Sequence, residues 1–417
     1  MKSIRITSTP QKLNGTVVLP SSKSISNRAL VIRALTEIPF AIQNLSDADD
    51  TTLLESLFES KEKEIYVRNA GTVARFLLAY FASRPCDVIL SGSERMNERP
   101  IGELVEALKV LAADIEYLNQ DHHLPVHIHG KSLNGGSISI SSETSSQFIS
   151  ALLLIAPSLS EGLTLKLQGE VVSEPYIGLT LKTMSHFGIK YRKQQNQISI
   201  PPQKYIPKSF FVESDWSSAS YFYSIAALLP GTEFQFAHLF DDSWQGDSIL
   251  KDIMQEFGIK TSFDDKNCII KSSGVKIKHF NYDFINHPDL IPTFVCLCCA
   301  LQIPFTISGT RTLKHKESDR GEVLKTELAK LGYSIEFEDN IMLYNGEKNT
   351  SKKGTIILNT HLDHRMAMSF AILAAKNPDI CIENPEVVDK SYPGFWKELK
   401  NIGIEIVIDE MTEQIIK

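Results

Sequence analysis

Short stretches of alternating apolar and polar residues give way, again and again along this chain, to longer apolar runs with helical spacing. The change recurs six times, with restarts near Asn14, Glu64, Gly135, Ser209, Asn281 and Gly354. After a first short interval the period is about 72 residues, long for a solenoid and suited to a compact unit used repeatedly. The third copy is the clearest. Gly136 to Ile140 alternates as a strand, Ser145 and Ser146 suit a helix N-cap, and Phe148 to Ala156 is an apolar run closed by Pro157. Leu163 to Leu167 alternates again, Gly178 to Phe187 is amphipathic and ends at Gly188, and Ile189–Tyr191 with Gln197–Ile200 reads as a hairpin. The predicted unit is therefore βαβαββ.

The other copies predict second helices over Glu103 to Ala112, Ser248 to Phe257, Glu322 to Leu331 and Phe395 to Ile402. In the first copy the second helix, Thr51 to Ser60, runs into Lys61-Glu62-Lys63-Glu64 with no hairpin after it, so that copy is truncated. Three units per domain is the natural partition, since 417 residues exceed one ordinary core. Pro201, Pro202 and Pro207 mark the linker. The boundary is expected near Val212, giving one lobe over 21–212 and a second from 1–20 with 213–417. The strand before Pro20 is expected to pair with the second lobe and make the link double.

Each copy opens its first helix with a polar loop, and these loops hold the candidate chemistry. They read Ser22-Lys23-Ser24-Ile25-Ser26-Asn27-Arg28, Asn69-Ala70-Gly71-Thr72-Val73-Ala74-Arg75, Ser145-Ser146-Gln147-Phe148, Ser214-Asp215-Trp216-Ser217-Ser218, Asn286-His287-Pro288-Asp289 and Asp363-His364-Arg365-Met366. Helix N-termini present unpaired N–H groups and a positive dipole end, so they favour anions. Lys and Ser beside such groups form a cradle for phosphate or carboxylate. The Gly-rich run of a P-loop is absent. Arg95 and Arg99 lie four apart in a loop before a helix, and Arg99, next to Pro100, is the better placed fork for an oxyanion. Lys314-His315-Lys316-Glu317-Ser318-Asp319-Arg320, read with Asp363-His364-Arg365 and Lys390, suggests an anion pocket that also holds carboxylates. Cationic neighbours would depress the pKa of Glu317 while burial would raise it, which is how proton-transfer groups are tuned.

Composition narrows the ligand class. The net charge of −7 argues against general nucleic-acid binding and favours a discrete anion held by local clusters. Six cysteines lack framework spacing; Cys296, Cys298 and Cys299, with no further ligands at CxxC-like spacing nearby, read as buried thiols on an apolar helix in a reducing cytoplasm. His361 and His364 are three apart, which fits one helical face, but without further ligands no metal is expected. No secretory h-region and no membrane-length apolar run is present, so a soluble protein is expected.

Taken jointly, Ser22 to Arg28, Asn69-Ala70-Gly71-Thr72, Arg95-Met96-Asn97-Glu98-Arg99-Pro100-Ile101-Gly102, Lys316-Glu317-Ser318-Asp319-Arg320 and Asp363-His364-Arg365-Met366-Ala367-Met368 resemble the EPSP synthases, a family of enolpyruvyl transferases, over essentially the whole chain. The resemblance implies a two-domain inside-out α/β barrel, each domain of three βαβαββ units, with helix N-termini aimed at the cleft between them. It implies transfer of the carboxyvinyl group of phosphoenolpyruvate to the 5-hydroxyl of shikimate 3-phosphate, with no cofactor and no metal, in a cytoplasmic monomer. It further implies that Lys23, Ser24, Arg28, Ser145, Ser146, Gln147, Ser173, Tyr176, Asp289 and Lys316 bind shikimate 3-phosphate. Lys23, Gly71, Arg99, Gln147, Arg320, Arg365 and Lys390 would surround phosphoenolpyruvate. Asp289 would take the hydroxyl proton and Glu317 would serve the methylene carbon, with Lys23 and His364 as helpers. Nucleic acid and membrane are not expected partners.

The chain departs from the family pattern at Ser21-Ser22, Phe76, Thr312, His315 and Leu362. Gly71 leads to an expectation of glyphosate sensitivity, because an Ala methyl there would crowd an analogue bulkier than phosphoenolpyruvate. Two rivals are weaker. The related UDP-N-acetylglucosamine carboxyvinyltransferases place Asn after the first Lys, where Ser24 stands, and a catalytically idle binding relative would be expected to lose Asp289 or Glu317.

Overall fold

The computed structural model describes residues 2–143, 145–264, 267–338, 340–349, 354–377 and 379–410. The chain divides into two compact units, Ser21–Val212 and Met1–Pro20 with Glu213–Lys417. Among the described residues there are five four-stranded sheets and one two-stranded sheet.

The third copy shows how each unit is built. Gly136–Ser141 pairs in parallel with Leu163–Gln168, and Ser146–Ile155 is the helix between them. Leu163–Gln168 pairs antiparallel with Gln197–Ile200, which pairs with Arg192–Gln194. The hairpin opens three residues later than its alternation suggests, at Arg192 rather than Ile189, because Gly188 and the residues after it turn the chain out of the second helix. That helix, Glu174–His186, also begins earlier than expected, with Pro175 in its first turn and Ser173 as N-cap in a left-handed conformation. The other four-stranded sheets keep the same order, with first and second strands parallel and the remaining pairs antiparallel.

The exceptions to sequential assembly explain the split of the chain. Asn14–Val17 lies in parallel beside Glu233–Ala237, in the sheet of the fourth copy. Phe210–Phe211, which periodicity assigns to the fourth copy, instead pairs in parallel with Ile42–Gln43 of the first. The opening strands of copies one and four are thus exchanged. In the sheet of the sixth copy Lys2–Ser8 takes the place between Ile380–Glu383 and Glu405–Glu410, antiparallel to both.

Helix ends follow local chemistry. Gly188, Gly258, Gly332 and Gly403 close second helices at positive φ, and Ala112 takes the corresponding left-handed position at φ 69° in the second copy. The first helices are hydrophobic nearly all round because they lie inside their units. Every residue of Trp216–Leu228 is buried, and so are ten of the eleven residues of Ile291–Leu301. Cys296, Cys298 and Cys299 sit within the latter, where burial pushes their thiols up, as expected of small core hydrophobes. Among the described residues no helix is long and apolar enough to cross a membrane.

Candidate active site

In the unit 21–212 the helix Lys23–Leu35 starts at Ser22, whose hydroxyl accepts from the Ile25 N–H. This cap puts Lys23 and Ser24 in the first turn, and Lys23 Nζ reaches Asp50 at 3.1 Å. Arg28, one turn on, is buried among neutral acceptors. It donates to Thr180 Oγ1 at 2.7 Å, Ser24 O at 2.8 Å, Ser150 Oγ at 3.1 Å and Tyr176 O at 3.2 Å. Phe76 packs beneath the guanidinium, with its ring centroid 5.5 Å away. Burial draws Arg28 down, to about 10, while Tyr176 opposes the shift, so the group stays cationic at neutral pH. Arg28 ties Ser24 to Tyr176, and it could touch a ligand only with donor capacity left over from these bonds.

Ser145 caps Ser146–Ile155 by accepting from Gln147 N–H, and Gln147 Nε2 donates to Thr72 Oγ1 at 3.1 Å. The second and third helix-opening loops of this unit therefore meet. Arg99 does not lie in an open loop. Ser93 caps a short helix, Glu94–Glu98, that the sequence reading missed although Ser93 followed by Glu94 is a usable N-cap signal. On this helix Arg95 pairs with exposed Glu98, which leaves buried Arg99 as the inward fork. Its guanidinium packs on Gly71. A Cβ there would lie 2.7 Å from Arg99 Nη2 and 2.4 Å from Arg75 Nη1. The missing methyl thus makes room first for two arginines.

In the second unit the charged groups are paired with one another. Arg320, almost wholly buried, donates Nε to Asp363 Oδ2 at 2.8 Å, Nη1 to Asp289 Oδ1 at 3.0 Å and Nη2 to Glu317 Oε2 at 3.0 Å. Arg365 Nη2 donates to Asp289 Oδ2 at 2.7 Å, and Lys316 Nζ to Asp289 Oδ1 at 3.2 Å. Three cations thus face three carboxylates. Burial alone would raise the Asp289 carboxyl, but Arg365, Lys316 and Arg320 outweigh it and hold the group well below the usual carboxylate range. For Arg320 burial is likewise the largest influence and would lower its pKa, yet Asp363, Glu317 and Asp289 carry it upward.

Two organisers of this cluster stand in the helix-opening loops but had no role assigned to them from sequence. Asp363 caps His364–Ile372, accepting the Arg365 N–H at 2.9 Å, and also holds Arg320 and Ser318. Its place as the N-cap before an apolar helix was visible; its partners, more than forty residues away, were not. Asp215 caps Trp216–Leu228, and its carboxyl is raised by burial, opposed by Arg365. Neighbouring Tyr221 is raised to about 12, also by burial.

Other predicted residues are placed as follows. Buried His364 is the first residue of its helix, with Nδ1 3.6 Å from Asp363 Oδ1. His361 precedes the helix at φ 48° and faces Glu327 at 3.2 Å, so the two histidines do not share a helical face. Lys390 ends the turn Pro385–Lys390. A hollow of about 220 Å³ beside Asp319 is lined by Thr310, Arg311, Lys314, Asp319, Glu322 and Phe337, of which Lys314 and Asp319 belong to the charged stretch 314–320.

The sequence pattern of the EPSP synthase (3-phosphoshikimate 1-carboxyvinyltransferase) family matches residues 7–60 and 54–399. The chain belongs to the EPSP synthase family. A 3-phosphoshikimate 1-carboxyvinyltransferase of Bacteroides fragilis is 43% identical over 405 residues, covering 97% of this chain and 98% of the relative. The Aliivibrio fischeri enzyme of that name is 33% identical over 421 residues, covering 94% and 97%. A solved EPSP synthase from Acinetobacter baumannii superposes with a TM-score of 0.80 over 98% of this chain and all of that one, at 20% identity. This last likeness shows the shared two-domain inside-out α/β fold. The chain is an enzyme of this family, whose reaction joins phosphoenolpyruvate to shikimate 3-phosphate in aromatic amino acid biosynthesis.

Proposed function

We propose that this chain transfers the carboxyvinyl group of phosphoenolpyruvate to the 5-hydroxyl of shikimate 3-phosphate, and that the cluster around Asp289 performs the proton transfers. The observation that carries the assignment is the meeting of Asp289, Glu317, Lys316, Arg320 and Arg365 in one ion-paired group. Phosphoenolpyruvate carries about three negative charges, so it needs several guanidinium and ammonium partners simply to bind. In this reading Arg320, Arg365 and Lys390 supply part of that charge and Lys23 and Arg99 the rest, while Gln147 donates a hydrogen bond and Gly71 leaves space. The unit 21–212 holds shikimate 3-phosphate through Lys23, Ser24, Arg28, Ser145, Ser146, Gln147, Ser173 and Tyr176, with Lys316 on its hydroxyls.

Addition begins when Glu317 protonates the methylene carbon, leaving positive character on the adjacent carbon. The 5-hydroxyl oxygen bonds to that carbon while its proton passes to Asp289. The tetrahedral adduct then loses phosphate, which leaves as hydrogen phosphate with the proton from Asp289 while the cations stabilise its charge, and Glu317 takes back a methyl proton to form the vinyl double bond. His364 and Lys23 are assigned helper roles in these transfers. Every transfer uses side chains, and the reading includes neither metal nor cofactor.

The pairing around Asp289 adds a step to the reaction. Asp289 held by three cations is a poor base, because its pKa lies far below neutrality. When the phosphoenolpyruvate carboxylate takes over Arg365 and Arg320, Asp289 loses the partners that depress it and gains basicity as substrate arrives.

Phosphate release with both substrates tests the assignment. Asp289→Ala and Glu317→Ala should each lower turnover by roughly 10²–10⁴. Near-parental turnover in either would remove that residue from its role. A cytoplasmic monomer completes the reading, and light scattering should return a mass near 46.7 kDa.

A further inference from the structure

The exposed face of the sheet holding Cys86–Ser91, Asp114–Tyr117 and Val126–Gly130 carries a group that the transferase chemistry does not use. Val126 and Ile128 point into the core, so His127 and His129, two residues apart, share the outer face. Cys86–Ser91 lies alongside, antiparallel, with Asp87 directly opposite His129. Asp87 Oδ1 is 2.8 Å from His127 Nε2 and 3.1 Å from His129 Nδ1, and the two imidazole centroids are 4.0 Å apart. One ligand atom from each residue lies within 4.8 Å of the other two. Asp114 and Glu116, on the other neighbouring strand, are paired with His129 and His127 and add negative charge to the same face.

We infer that His127, His129 and Asp87 form a binding site for a first-row divalent transition ion such as Zn²⁺, Ni²⁺ or Cu²⁺. Two imidazoles and one carboxylate suit these ions and do not suit Mg²⁺ or Ca²⁺, which take oxygen donors. Ligand atoms on one tetrahedral zinc ion stand about 3.3 Å apart, given bonds near 2.0–2.1 Å, so the trio needs small side-chain rotations to close on an ion. The backbone already fixes the three Cβ positions. Lys63 Nζ lies 3.5 Å from Asp87 Oδ2, the oxygen turned away from the imidazoles, and its exposed side chain can swing aside. Water would complete the coordination.

Calorimetric titration of the chelator-treated full chain with Zn²⁺, and electron paramagnetic resonance with Cu²⁺, test the site. The expected result is one ion bound with a dissociation constant of about 1 μM or tighter, and a Cu²⁺ spectrum showing two nitrogen ligands. His127→Asn, His129→Asn and Asp87→Asn should each weaken binding by about tenfold or more, with phosphate release and circular dichroism like the parent's. The three side chains are on the surface, so these variants should fold, and their ion-free melting curves show that directly. Failure to bind Zn²⁺, or undiminished one-to-one binding in the His127→Asn/His129→Asn double variant, would overturn the inference.

Discussion

The two units position buried arginines in opposite ways. Arg28, in the unit 21–212, is held by hydroxyls and carbonyls, and among the described residues it has no carboxylate partner. Arg320, in the other unit, meets three carboxylates. Neutral dipoles orient a cation and leave its charge uncompensated, so that charge is available to attract a phosphate. Carboxylates orient it more strongly but neutralise it, so a ligand must displace them. Arg28 therefore offers a standing positive charge in the first unit, although Lys23 there is paired with Asp50, and the second unit offers a set of pairs that an incoming anion exchanges.

That contrast can be broken most forcefully at Arg320. Arg320→Met would remove the cation that Asp363 and Glu317 share and one of the three that hold Asp289, and breaking a buried pair costs about 3–5 kcal/mol. Urea unfolding should show a loss of that size together with loss of phosphate release. Stability within about 0.5 kcal/mol of the parent would mean the pairs hold nothing in place. Arg28→Met removes a cation from neutral acceptors, and unsatisfied polar groups cost about 1–3 kcal/mol. It should be the milder lesion to stability, with the Michaelis constant for shikimate 3-phosphate rising more than that for phosphoenolpyruvate. The reverse order of stability losses would contradict the comparison.

Gly71→Ala should be smaller again. The added methyl meets Arg99 and Arg75, so it acts by displacing guanidinium groups, as well as by crowding the analogue. A rise of about tenfold in the Michaelis constant for phosphoenolpyruvate, equivalent to about 1.4 kcal/mol, should accompany resistance to glyphosate. Unchanged substrate affinity with full resistance would favour simple crowding of the inhibitor. The smallest effect concerns pH. Asp289 is depressed in the folded state, so its contribution is fully present above its unfolded pKa of about 3.9 and is lost as pH falls through the lower folded value. Asp289→Asn should flatten the acid limb of the stability curve below about pH 4 and leave its slope near neutrality unchanged. A changed slope at neutral pH would contradict the assigned direction.

Helix starts were legible in the sequence because Ser22, Ser145, Asp215 and Asp363 are short polar residues immediately before apolar runs, and each caps its helix. Strand membership was less so. Asn14–Val17 and Phe210–Phe211 look alike locally, and their exchange between copies one and four is set by pairing across the chain. The same limit applies to the site. Lys316, Glu317 and Arg320 are recognisable in one stretch, but Asp363 as the residue that orients Arg320 emerges only when the loops meet. On the outer sheet His127 and His129 are visible as a pair, while Asp87 lies 40 residues earlier and joins them through register.

The central claim is that substrate frees Asp289 from its cationic partners. Selective ¹³C labelling of aspartate, with Asp289→Asn to assign the signal, would follow this carboxylate directly with and without phosphoenolpyruvate. The account predicts a carboxylate signal that stays flat from about pH 5 to 8 in the free enzyme and begins to titrate within that range once phosphoenolpyruvate is bound. An Asp289 signal that stays flat in both states would contradict it.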